Sequence, residues 1–87
     1  MIVYLLYNKR TSAERLMAEF NDRLQREQLE TELLDADTPR GIQLAESYDI
    51  VGRPAVLILK TDGALVQVWQ GEDSLPAPSD VAYLARQ

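Results

Sequence analysis

The 87-residue chain contains no cysteine and no histidine. Without cysteine no disulfide can staple it, so its stability must come from packing alone. The thiolate and imidazole ligands that hold zinc and most transition metals are missing as well. A calcium or magnesium site would have to be built from carboxylates, and no Asp-x-Asp-x-Asp loop occurs. Long apolar runs are also missing: Ile2 to Tyr7 falls far short of the roughly 20 residues that a membrane span needs. That run lacks the basic flank and the small-residue cleavage site of a secretory signal, so the expected compartment is the cytoplasm. Basic residues are in the minority, 9 against 14 acidic, for a formal net charge of −5. This balance disfavours nucleic acid and anionic membrane as partners, because both are bound by clustered Lys and Arg. Repeats, low-complexity tracts and linkers do not occur. A chain of this size is expected to form a single domain, 1–87, and its 46% hydrophobic content argues against disorder.

The apolar residues fall into two periods. Ile2 to Tyr7 is a continuous run rich in β-formers, which reads as a central strand covered on both faces. Thr11 or Ser12 is placed to cap a following helix. In that helix Leu16, Met17, Phe20 and Leu24 fall on one face at helical spacing. Glu19 with Arg23 and Asp22 with Arg26 form i, i+4 pairs on the other face. Glu30 to Leu34 reads as a second strand. Thr38 is the expected cap of a second helix with Pro39 at its first position, and Ile42, Ala45 and Tyr48 make its buried stripe. Ala55 to Lys60 is a third, buried strand. It is preceded by Pro54, which lacks a ladder N–H and therefore starts the strand at a turn rather than lying inside it. An X–Pro bond at such a turn is a candidate for the cis isomer. Asp62-Gly63 supplies the positive φ angles of a hairpin turn. Ala64 to Gln70 then alternates, with Val66 and Val68 on one face and Leu65, Gln67 and Trp69 on the other. Trp69 is expected to pack under a helix. Gly71 ends the strand, Leu75 to Pro78 is a rigid loop, and Ser79 caps a last helix through Val81, Leu84 and Ala85. The first βαβ unit should pair its strands in parallel, and the last two strands form an antiparallel hairpin. The expected class is α/β, a mixed four-stranded sheet in the order βαβαββα with helices on both faces.

Asp37, then Ala45-x-x-Tyr48-x-Ile50-x-Gly52-x-Pro54, then Lys60-x-Asp62-Gly63 and Gly71 form an ordered set that resembles the thioredoxin-like superfamily at glutaredoxin-like size. The resemblance covers nearly the whole chain and implies a thioredoxin-like fold. The family's Cys-x-x-Cys belongs just after the first strand, where a helix N-terminus stabilises a thiolate. A glutaredoxin-like alignment puts Ser12 and Arg15 at those positions; a thioredoxin-like register puts Thr11 and Glu14 there. Neither supplies sulfur, and a hydroxyl cannot be oxidised to a disulfide, so the redox activity does not carry over.

The resemblance also implies a groove that takes extended peptide or glutathione backbone, lined here by Lys9, Arg10, Thr11, Ser12, Arg53 and Pro54. Three cations near a helix start suit a carboxylate, a peptide C-terminus or a phosphate, although Thr11 or Ser12 acting as a simple cap beside solvated cations accounts for the same residues. The function expected is that of a non-catalytic binding or interaction domain with a cysteine-free, degenerate active site. No cofactor is implied, and the partner is another protein or a peptide. Two alternatives stay open. One is a glutathione-binding or glutathione-transferase-like domain using the Ser12 or Thr11 hydroxyl, with Glu72-Asp73-Ser74 as a loose match to that family's glutamate–serine pair. The other is a thiol–disulfide oxidoreductase whose cysteines were replaced in this chain. Arg15 argues against it, since deliberate replacement would leave serine or alanine at both positions. Asp35 with Asp37, and Glu72 with Asp73, fall in turns, where turn and cap roles explain them better than acid–base work. The chain is expected to leave the dithiothreitol-driven precipitation of insulin at the buffer rate. Clear acceleration would overturn the non-catalytic reading.

Overall fold

In the computed structural model, which describes residues 1–87, the run Ile2–Tyr7 forms strand β1, and Ala55–Leu59 forms β3 with all five residues buried. A strand with no polar face has to be covered on both sides, and the remaining elements do this. Helix α1 (Ser12–Arg26) and helix α3 (Pro78–Ala85) lie on one face of the sheet, and α2 (Pro39–Ser47) lies on the other. Strands β2 (Thr31–Asp35) and β4 (Leu65–Gln70) complete a four-stranded sheet in the order β2-β1-β3-β4. β1 and β2 are parallel, as the crossover through α1 requires, whereas β1–β3 and β3–β4 are antiparallel. No helix is long and apolar enough to cross a membrane.

The core is split by the sheet. Val3, Leu5, Val56 and Ile58 meet Met17, Phe20 and Leu24 of α1 and Val81 of α3 on one side. Leu6, Ala55, Leu57 and Leu59 meet Ala45 and Ile50 on the other. Trp69 is half-buried against the first of these clusters. Tyr48 caps the C-terminus of α2 and donates its hydroxyl to the Gly63 carbonyl at 2.5 Å, tying that helix to the β3–β4 turn.

Several local expectations are corrected. Ile42 does not join the buried stripe of α2; it is 46% exposed. The stripe is Gly41 and Ala45 instead, because the first turn of α2 sits directly against the end of β2. A Cβ on Gly41 would collide with the Asp35 carbonyl oxygen and the Ala36 Cα. Leu16 is likewise 36% exposed rather than core. The alternation along β4 is broken by a register irregularity: Leu59 pairs with Leu65 while Ile58 pairs with Gln67. The extra residue puts Val66 on the α1/α3 face beside Trp69, leaving Val68 alone on the α2 face.

Caps and ion pairs also differ from expectation. Thr38 caps α2 as expected, accepting from the Gly41 N–H at 3.1 Å. α3, however, is capped from Ala77 with Pro78 at its first turn, and it is Asp80, not Ser79, that reaches back to the Ala77 N–H. At the hairpin only Gly63 takes a positive φ; Asp62 instead accepts the Ala64 N–H with its carboxylate. The ion pair on α1 is Arg15–Glu19 at 3.3 Å rather than either expected pair. It is exposed and contributes at most about 1 kcal/mol.

Gly41→Ala removes a helix-interior glycine, which favours the helix by ~1 kcal/mol in isolation. The backbone collision should outweigh that gain, giving a net loss of about 1–3 kcal/mol, read as a lower urea midpoint. An unchanged or raised midpoint would show that α2 is not seated as tightly as described.

Candidate functional site

The register of β1 against β3 builds the site. Leu6 pairs with Ala55 in the antiparallel ladder, so the chain leaving β1 at Tyr7 lies beside the chain about to start β3. Asn8, Thr11, Ser12 and Ala13 therefore face Arg53 and Pro54 across a cleft of about 210 Å³, with Glu72 at its edge. That volume is below the ~300 Å³ at which drug-sized ligands begin to be engulfed. The cleft suits a short stretch of chain laid across it.

Each wall is held by identifiable bonds. The Thr11 hydroxyl donates to the Asn8 carbonyl at 2.6 Å, closing the turn after β1. Thr11 is the N-cap residue of α1 by backbone conformation, but its side chain accepts no bond from the first turn. Glu14 N–H finds the Thr11 carbonyl at 3.1 Å, while the N–H groups of Ser12 and Ala13 have no partner in the chain. Asn8 is oriented by Asp37, whose two carboxylate oxygens each accept from Asn8 Nδ2 at 3.3 Å. Asp37 therefore links the loop after β1 to the loop after β2.

The opposite wall is the segment before β3. Pro54 is buried and follows a cis peptide bond. Gln70, at the end of β4, accepts the N–H groups of Val51 at 2.9 Å and Gly52 at 2.8 Å with one side-chain oxygen. A Cβ on Gly52 would stand 2.9 Å from the Gln70 Cβ, so a side chain at position 52 would push this clamp away. The Gly71 N–H donates to the Pro54 carbonyl at 2.9 Å. The Arg53 guanidinium folds back on its own loop, donating from Nη1 to the Ile50 carbonyl at 3.0 Å and the Gly52 carbonyl at 3.3 Å. Its Nε is buried without a partner. The Arg53 backbone N–H and carbonyl make no hydrogen bond within the chain.

The structure thus brings together four of the six expected lining residues: Thr11, Ser12, Arg53 and Pro54. Lys9 and Arg10 do not line the cleft. They occupy the exposed turn before α1, with Arg10 in the left-handed region at φ 64°. The lining is therefore not a cluster of three cations; it holds one arginine and one glutamate. Sequence reasoning missed Asn8 and Gln70 as wall-builders. It met Glu72 only as part of a loose glutathione match and of a carboxylate pair in a turn. Position directly after Gly71 was the one available signal for Glu72, whereas the roles of Asn8 and Gln70 depend on partners 29 and 18–19 residues away.

The whole-chain architecture has relatives among solved structures. Thioredoxin 1 from the thermophilic eubacterium Thermosipho africanus TCF52B superposes with a TM-score of 0.71 at 13% identity, over 99% of this chain and 91% of that one. The fold is thioredoxin-like. A structure described as that of a malarial protein superposes equally well on the thioredoxin-like domain, with a TM-score of 0.71 at 19% identity over 98% of this chain and 92% of that one. At these identities the likeness is one of fold. No family model and no curated protein matches the sequence. In this thioredoxin-like domain the position at the start of α1, where a thiolate would need to stand, carries hydroxyls, and the chain has no cysteine elsewhere.

Gln70→Ala should release the loop before Pro54, because two backbone donors lose their acceptor at ~1 kcal/mol each. Hydrogen exchange at the Val51 and Gly52 amides is expected to speed up by about tenfold or more while the β1 and β3 amides keep their protection. Unchanged exchange at both would mean that Gln70 does not hold the loop.

Proposed function

We propose that this domain is a non-catalytic binding module that takes an extended peptide segment of another protein at the corner between the start of α1 and Pro54. The carrying observation is the unpaired backbone of Arg53. Its N–H and carbonyl have no partner in the chain and precede a buried proline, and Arg53 lines the same cleft as Ser12 and Ala13, whose N–H groups are also unpaired. Unpaired main-chain groups at the edge of a fixed segment recognise another main chain by adding to it. Free N–H groups at a helix start favour a carbonyl or carboxylate oxygen, aided by the helix dipole. The one charge of each sign in the lining, Arg53 and Glu72, favours a zwitterionic or neutral stretch of chain over a polyanion.

The reading includes a cytoplasmic setting and a protein partner. A net charge of −5 supports it over nucleic acid or anionic lipid. Glutathione is the alternative ligand, because Ser12 offers a hydroxyl and Glu72 a carboxylate within the same cleft.

Titration of the 15N-labelled protein with the capped peptide Ac-Gly-Ser-Ala-Ala-Ala-Ala-Ser-NH2 tests the reading. The Ser12, Ala13 and Arg53 amides are expected to shift progressively up to millimolar peptide, with a weaker response at Ser12 and Ala13 in Arg53→Pro, which removes the backbone donor at position 53. Silence at all three amides would sink the proposal. Shifts with reduced glutathione and none with the peptide would favour the alternative.

A further inference from the structure

A second cleft, about 300 Å³, opens on the α1/α3 side of the sheet and meets the first at Glu72, which lines both. Its walls are Leu16 and Phe20 from α1 and Leu75, Pro76 and Pro78 from the segment leading into α3. Leu16 carries the clearest sign that this cleft is unfilled. Its place in the apolar repeat predicts a core residue, yet it stands 36% exposed, with Phe20 one turn further on already buried. The apolar face of α1 is therefore wider than the core that covers it, and the excess points into the cleft.

The charges around this cleft are unequal in their engagement. Glu19 is paired with Arg15 at 3.3 Å, and Arg23, which also lines the cleft, is in no ion pair. Glu72 makes no hydrogen bond and no ion pair with any side chain of the protein, and it is the residue at the junction of the two clefts. A free carboxylate at the junction favours a cation there, and an apolar recess beyond it favours a bulky aliphatic side chain.

We propose that the peptide held at the Pro54 corner continues into this second cleft, and that its recognised pattern is a basic residue facing Glu72 followed two residues later by a bulky aliphatic residue seated between Leu16 and Leu75. In an extended chain, residues i and i+2 project to the same side, so one strand presents both groups to one wall. This inference rests on the peptide-binding reading of the corner and adds to it a specificity that the corner alone does not carry.

The test compares two capped peptides with the same backbone, Ac-Gly-Ser-Ala-Ala-Ala-Ala-Ser-NH2 and Ac-Gly-Ser-Ala-Lys-Ala-Leu-Ser-NH2, titrated into the 15N-labelled protein. Both are expected to shift Ser12 and Arg53, and only the second to shift Leu16, Phe20 and Leu75, with binding roughly tenfold tighter from burial of the leucine side chain. Leu16→Ser, at a partly exposed position, should remove the leucine's share of the second peptide's advantage, leaving the lysine's share, without weakening the first. Glu72→Gln should remove the contribution of the lysine and reduce the salt dependence of binding. If both peptides shift the corner with equal affinity and the second cleft stays silent, this inference fails while the corner reading stands. Silence at the corner with both peptides overturns the two together, and shifts confined to the second cleft overturn the continuity between them.

Discussion

The antiparallel register of β1 on β3 is the constraint on which the candidate site depends. Leu6 opposite Ala55 brings the end of one strand beside the beginning of the next. The turn into α1 and the segment ending at Pro54 then have to be neighbours, although more than 40 residues separate them in the chain. Slipping this ladder by one residue would reverse every side chain of β1, exchanging Leu5 and Leu6 between two dissimilar cores. The packing that fills those cores therefore also holds the cleft in place. Leu5, Leu6, Leu57 and Ile58, all fully buried, pin the register that aligns its two walls.

Around that fixed junction side chains bond the backbone of the flanking loops, while the Arg53 backbone and the first N–H groups of α1 stay unpaired. Thr11 donates its hydroxyl to Asn8 and accepts nothing from the first turn of α1, whose Ser12 and Ala13 N–H groups stay open. Gln70 satisfies Val51 and Gly52, and the adjacent Arg53 backbone remains unpaired. Arg53 turns one guanidinium nitrogen back onto the Ile50 and Gly52 carbonyls. The cleft is lined by one arginine and one glutamate, neither in an ion pair, beside these open main-chain groups. Without cysteine, the chain itself supplies no thiolate at the start of α1.

Much of this was legible in order but not in detail. Continuous apolar runs marked β1 and β3, and a 3.6-residue period marked α1, because both periods are set by local backbone geometry. Thr38-Pro39 marked the start of α2 for the same reason. Misreadings occurred where a distant element intruded. Gly41, not Ile42, faces the core because the β2 terminus approaches too closely for a side chain. Val66 changes face because of an irregularity in pairing with β3 that no alternation pattern announces. Thr11 has the composition of a capping residue but turns its hydroxyl to the preceding loop. Among the cleft residues, Arg53 and Pro54 were legible through the Gly52-x-Pro54 motif, and Thr11 and Ser12 through their place just after the first strand. Lys9 and Arg10 were included by nearness in sequence, and the turn carries them off the cleft wall.

The amino-acid sequence by itself determined the kinds of element, their order, the two-sided burial of the central strands and the exclusion of thiol chemistry, since each follows from local periodicity or from which atoms are present. Tertiary structure alone decided which residues meet. Glu72 joins the cleft, Gln70 holds the loop before Pro54, Asn8 is steered by Asp37, and Leu16 is left uncovered. These outcomes depend on strand register and helix seating, which arise from packing between segments far apart in the chain, and nearest-neighbour patterns carry no record of those distances.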